Sequence, residues 1–188
     1  MILTTDDLAP QHMQLFKDTW DKLHEKHPHF ELIAFTTLRW NDEEKNDIRS
    51  NLEFLEFCKK RKDWLIIAMH GFYHKTYEGF YPEEFNFKKQ IEFFSDVNLK
   101  ENARILNAYK PPYYRWKLET LEEAQKAGVK FFFTQNGFLD LETFKFFERH
   151  LIGLIDSHTN PITQMPDRVD KIYDQLDKLL QNATKFSL

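Results

Sequence analysis

The chain alternates between short apolar runs and stretches in which apolar residues recur every three or four positions. Met1–Thr5 is short and extended, and Met13, Phe16, Trp20 and Leu23 then share one helical face. Phe30–Thr37 reads FELIAFTT, a β-type run. A helix carrying Ile48, Leu52 and Leu55 is expected next, with Asn41 and Asp42 as cap candidates. Trp64–Met69 is apolar throughout, as in a strand buried on both faces. Phe87, Ile91 and Phe94 mark a further helix, and Arg104–Tyr109 (RILNAY) a strand. Leu118–Ala127 is helical and stops at Gly128, where a left-handed cap fits. Val129–Thr134 and Leu151–Ile155 read as strands, and Val169, Ile172, Tyr173, Leu176, Leu179 and Leu180 as a last helix.

Repeated strand–helix alternation predicts an α/β fold: a parallel sheet flanked by helices, open or closed into a barrel. In such folds reactive groups collect at the carboxyl ends of the strands. Four polar features fall there. Asp6-Asp7 follows the first strand, where either Asp could instead cap the helix near Pro10. His70 and His74, in HGFYH, follow the third; residues i and i+4 can share an ion, although one such pair is a weak signal alone. Pro111-Pro112 removes two donors and stiffens the backbone, so the Tyr113 amide is the first available N–H after the fourth strand. His158 follows the last strand in LIDSHT, where turn chemistry of Asp156 and Ser157 is the plainer reading. Together they supply what a hydrolytic metal site needs. A carboxylate and two histidines leave coordination positions open, a second carboxylate can act as base, and a fixed amide can receive an oxyanion.

Composition narrows the classes. A length of 188 residues suits one domain, spanning 1–188. Twenty-six Lys+Arg against 30 Asp+Glu, with no basic block, gives no electrostatic case for nucleic acid. Cys58 is the one cysteine, which excludes an internal disulfide and suits an apolar packing role. No apolar stretch approaches the length of a membrane span, and no N-terminal run resembles a signal peptide, so the expected location is cytoplasmic.

The order of these motifs resembles the polysaccharide deacetylase family, the NodB-homology or carbohydrate esterase family 4 domain, over nearly the whole chain. TTDD at 4–7 resembles the family's T-F-D-D, HGFYH matches H-x-x-x-H, KPPY at 110–113 resembles R-P-P-Y, and His158 stands where a late histidine is expected. The resemblance implies a distorted (β/α)7 barrel, with Asp7, His70 and His74 holding a divalent ion. Zinc leads, and cobalt or iron suits the same ligands. It further implies Asp6 as catalytic base, the Tyr113 amide at the oxyanion, His158 as general acid and Lys110 beside the base. The activity implied is removal of N-acetyl groups from a sugar or oligosaccharide. Phe72, Tyr73, Tyr77, Tyr114 and Trp116 are candidates to stack on a sugar ring, with packing the plainer role for most. The chain departs from the family pattern in three places. Lys110 replaces Arg, the aspartate-tryptophan motif is missing around Thr134-Gln135-Asn136-Gly137 with Asp140 as the substitute candidate, and Asp156 stands where Leu is usual. A non-sugar amidohydrolase and an inactive binding module on the same barrel are the rival readings.

Overall fold

Strands rich in β-branched and aromatic residues assemble into one sheet. The computed structural model describes residues 2–76, 78–80, 87–148, 155–156, 173–178 and 180–181. Its strands are β1 (Ile2–Leu8), β2 (Glu31–Thr36), β3 (Leu65–Met69), β4 (Arg104–Tyr109), β5 (Phe131–Thr134), β6 (Gly137–Asp140), β7 (Lys145–Glu148) and β8 (Ile155–Asp156). They are ordered β7-β6-β5-β4-β3-β2-β1-β8. Pairing is parallel from β8 through β5 and antiparallel across β5, β6 and β7. The α/β architecture is the expected one. The β6–β7 hairpin is an addition that the strand–helix alternation did not foretell.

The central strands are buried on both faces because successive side chains point to opposite sides. In β2, Leu32 and Ala34 join the large core beneath the helices, whereas Ile33 and Phe35 join a second, smaller cluster with Ala68, Ala108 and Phe133. The helices are α1 (Met13–Phe16), α2 (Lys22–Lys26), α3 (Leu52–Lys59), α4 (Phe87–Phe94), α5 (Val97–Asn102) and α6 (Leu118–Lys126). A 3-10 turn at Pro10–His12 leads into α1, and a π-helical turn at Lys17–Asp21 joins α1 to α2. Met13, Phe16, Trp20 and Leu23 are buried on one side of this stretch, as their spacing predicts. Gly128 follows α6 at φ +88°, in the left-handed cap expected of it. Cys58 packs in the core as an apolar residue, and burial pushes its thiol up to about 12. Leu176 and Leu180 are buried on the last helix; His158, Val169, Ile172, Leu179, Tyr77 and the strand over 151–154 lie outside the described residues.

The segment between β2 and α3 differs from expectation. Asn41 and Asp42 do not cap a helix: both adopt positive φ (+55° and +60°) in a tight 3-10 turn. The cap of α3 is Asn51, whose side-chain oxygen accepts from the Phe54 amide at 2.8 Å, and Ile48 is buried in the preceding loop. Asp47 organises that loop, accepting from Arg39 at 3.0 Å and from Arg49 at 2.8 Å. An apolar residue fixed by a buried carboxylate looks the same in sequence as one on a helix face.

Burial raises the Asp47 carboxyl, but hydrogen bonds from Arg49 and Arg39 outweigh it and hold the group below the ordinary carboxylate range. Its contribution to stability is therefore complete above the unfolded value of about 4. It disappears as pH falls through the lower folded value. Urea unfolding midpoints measured between pH 6 and pH 2 are expected to fall more steeply for wild type than for Asp47→Asn; equal slopes would refute this.

Candidate metal centre

The site begins with an irregularity in β1. Pairing with β2 runs in register to Thr5↔Ala34 and resumes at Leu8↔Thr36, so β1 carries one extra residue there. Asp7 sits in the bulge at φ +63°. Neighbouring residues of a regular strand face opposite sides. Here Asp6 and Asp7 both turn into the carboxyl end of the sheet. The helix-cap alternative fails, because Ala9 occupies the N-cap position before Pro10 and no side chain caps the turn.

Asp7 Oδ1 lies 2.7 Å from His74 Nε2 and 3.3 Å from His70 Nε2. Ligand atoms of all three residues fall within 4.8 Å of one another, and all three side chains are buried. His70 follows β3, and its Nδ1–H donates to the Lys110 carbonyl at 2.7 Å. That bond assigns the tautomer and leaves the Nε2 lone pair facing Asp7. The His74 ring stacks on Trp40 at 4.3 Å and 15°. The Asp7 oxygen and the two imidazole nitrogens converge on one buried spot that a cation fits. One carboxylate and two imidazoles are the donor set such a site requires, with bonds of about 2 Å to zinc. Burial pushes the Asp7 carboxyl up, yet His70 and His74 outweigh it and hold it well below the usual range.

Beside this triad, Asp6 Oδ1 pairs with the Lys110 ammonium at 2.8 Å, and Lys110 is 1% exposed. The ammonium also lies 5.2 Å from the centre of the Phe35 ring and 4.8 Å from that of Tyr114. After Pro111, a 3-10 turn at Pro112–Tyr114 holds Tyr113 at φ +57°. The hydrogen bonds of this turn come from the amides of Tyr114 and Arg115, each at 3.1 Å. The Tyr113 ring is 5.0 Å from that of His74. Tyr114 and Trp116 open onto a cleft of about 400 Å³ that Phe132, Thr134, Asn136 and Phe146 also line.

The structure thus brings together Asp6, Asp7, His70, His74, Lys110 and Tyr113. Asp140 is not part of this group. Its carboxylate accepts from the amides of Glu142 at 2.9 Å and Thr143 at 3.1 Å and closes the β6–β7 turn. Three residues of this neighbourhood were not singled out from sequence. Trp40 lies just beyond the carboxyl end of β2, a position that could have flagged it. His12 donates from Nδ1 to the Asp7 carbonyl at 2.8 Å and meets the Trp40 ring edge-on at 4.7 Å. Glu78 is buried under the loop that carries His74. No local pattern marks either of these two.

No protein-family model and no curated protein matches the chain. Solved structures do. The Xyl-CE4 domain of a multidomain xylanase from the hindgut metagenome of Trinervitermes trinervoides aligns with 95% of this chain and 83% of its own, at TM-score 0.52 and 14% identity. A mutant CE4 family pseudoenzyme with restored enzymatic activity aligns with 98% of this chain at TM-score 0.54 and 14% identity; the chain spans 62% of that protein. The wild-type pseudoenzyme, from Bacillus anthracis, aligns over 93% of this chain and 61% of its own at TM-score 0.41 and 10% identity. The fold is that of the CE4, NodB-like domains.

Removing one partner of a buried ion pair leaves the other charge in a poor solvent, a loss of about 3–5 kcal/mol. Lys110→Met is therefore expected to lower the denaturation free energy by an amount of that order at neutral pH. Asp6→Asn/Lys110→Met should recover much of it. A double variant no more stable than Lys110→Met would show that the pair is not the origin of the loss.

Proposed function

We propose that this chain is a metal-dependent hydrolase that removes N-acetyl groups from a sugar or oligosaccharide. The observation that carries the reading is the convergence of buried Asp7, His70 and His74 beside a second carboxylate, Asp6, at the carboxyl end of the sheet. The CE4 fold and the aromatic-walled cleft next to Lys110 support it.

Asp7 Oδ1, His70 Nε2 and His74 Nε2 would hold the ion, for which zinc is the first candidate. When bound, such an ion supplies Lewis-acid polarisation of the acetyl carbonyl and favours ionisation of water. The protein's own groups do the rest. Asp6 accepts a proton from the attacking water, and the Lys110 ammonium balances its charge. The Tyr113 N–H donates to the oxygen that becomes negative as the water oxygen joins the carbonyl carbon. His158 gives its proton to the nitrogen as the carbon–nitrogen bond breaks, releasing acetate and the free amine. Trp40 and Tyr113 flank His74 and restrict water around it.

The second neighbour is a pseudoenzyme whose mutant regained activity. A binding module is accordingly the rival, and Asp6 separates the two, because ligand affinity alone has no use for a base.

Purified protein is expected to bind roughly one equivalent of divalent ion and to release acetate from N-acetylglucosamine oligomers. His70→Ala should lose both properties, and a chelator should abolish activity reversibly. Asp6→Asn should keep its metal and lose about a hundredfold or more in kcat. Metal affinity should weaken as pH falls, because the ligands must shed their protons to bind the ion. Metal-free His70→Ala protein with full activity would overturn the proposal, and metal uptake without acetate release would favour the binding module.

A further inference from the structure

Glu78 is 1% exposed and sits directly beneath the HGFYH loop. Its Oε1 accepts from the amides of Phe72 and Tyr73, the latter at 2.9 Å, and its Oε2 accepts from the Lys75 amide at 3.0 Å. These three amides bracket His74, which is held at φ +61°, a left-handed conformation that is strained for a residue with a Cβ. Gly71 provides the room. A Cβ at that position would stand 2.6 Å from Glu78 Oε2 and 2.9 Å from Pro112 Cγ. Substituting Gly71 would therefore push the carboxylate away from the loop.

The adjoining residue makes the second half of the contact. A Cβ on Gly79 would collide with the Arg115 carbonyl oxygen and lie 3.1 Å from Pro111 Cβ. The Thr120 hydroxyl donates to the Gly79 carbonyl, fixing that backbone against the segment leading into α6. Two consecutive residues thus touch two different loops: Glu78 the one carrying His74, Gly79 the one carrying Tyr113.

From this we infer that Glu78-Gly79 is a clasp that sets the metal-holding loop against the KPPYY loop, with Glu78 as the positioning residue for His74. The inference rests on the reading of Asp7, His70 and His74 as metal ligands. A charged side chain buried to hold three amides fixes loop geometry more narrowly than an apolar residue of similar size would. In Glu78→Gln one carboxylate oxygen becomes an NH2 group. One of the three amides then meets a donor, and the loop relaxes without a cavity.

The experiment combines metal titration with amide hydrogen exchange on the full chain, using wild type, Glu78→Gln and Gly79→Ala. In Glu78→Gln, Co2+ and Zn2+ affinity is expected to fall about tenfold to a hundredfold, the size seen when outer-shell support of a ligand is lost. The visible Co2+ spectrum should shift, and exchange should quicken at 72–75. In Gly79→Ala, exchange should quicken at 113–115 while metal affinity stays near wild type and kcat falls. Faster exchange with unchanged Co2+ affinity and spectrum in Glu78→Gln would reduce Glu78 to a purely structural role and overturn the inference. Unchanged exchange at either loop would overturn it as well, as would a Gly79→Ala protein with unaltered kcat. If wild type takes up no metal, the ligand reading of the triad fails; the exchange data still decide whether the clasp exists.

Discussion

Two adjacent carboxylates on one strand ordinarily face opposite sides of a sheet, and the candidate site exists because β1 breaks that rule. The extra residue between Thr5 and Leu8, with Asp7 at φ +63°, turns both acids to the same end. A non-glycine residue in that region is strained, and such strain persists only where the surroundings over-determine it. Here the Asp7 carbonyl is held by His12 and its carboxylate faces two imidazoles, so backbone and side chain are fixed from separate directions. Without the bulge, one acid would be left in an apolar core with no cation or donor to meet.

Once both acids are buried, the remainder of the site follows from what they must be given. Asp6 receives an ammonium and Asp7 receives two imidazoles. The walls are aromatic: Phe35 below Lys110, Trp40 on His74, Tyr114 over the ammonium. Apolar walls lower the local dielectric and strengthen every one of these attractions. They also make the cost of an unmatched charge higher, which is why so few substitutions at this end of the sheet would be neutral. The small cluster around Phe35 and Phe133 serves as the floor of a charged site rather than as a second core.

Much of this was legible in sequence, and the misses have physical causes. Long apolar strands and the 3-4 spacing of Met13, Phe16, Trp20 and Leu23 dictate their own structure, and the rule that polar groups gather at strand carboxyl ends picks out Asp6, Asp7, His70, His74, Lys110 and Tyr113, which the structure brings together. Asn41 and Asp42 were misplaced because the same side chains that cap helices also tolerate positive φ in turns. Ile48 reads as part of a helical face because Asp47, a tertiary anchor, has no periodic signature. The β6–β7 hairpin breaks the strand–helix alternation on which the rest of the reading rests. The turn at 141–144, closed by the Asp140 carboxylate, and the facing aromatics Phe138 and Phe147 are local hairpin signals that the strand–helix pattern outweighs. Trp40, His12 and Glu78 depend on contacts between segments far apart in the chain or on burial of a charge, which no window of residues displays.

Residue 110 shows why one departure from the family pattern has limited reach. A lysine loses the planar fork that arginine would offer a carboxylate. Its side chain, however, carries only half of what the position does. The backbone carbonyl of Lys110 accepts from His70 Nδ1 and so orients that imidazole, while its N–H donates to the Met69 carbonyl at 3.0 Å and keeps β4 in step with β3. Both bonds are indifferent to the side chain, and Pro111 and Pro112 stiffen the backbone that makes them. Asp6 and His70 are therefore tied to the same residue, one through its ammonium and one through its carbonyl. A shift of β4 would move the ammonium beside Asp6 and the carbonyl behind His70 together, so the site is held by the register of two neighbouring strands more than by the identity of one cation.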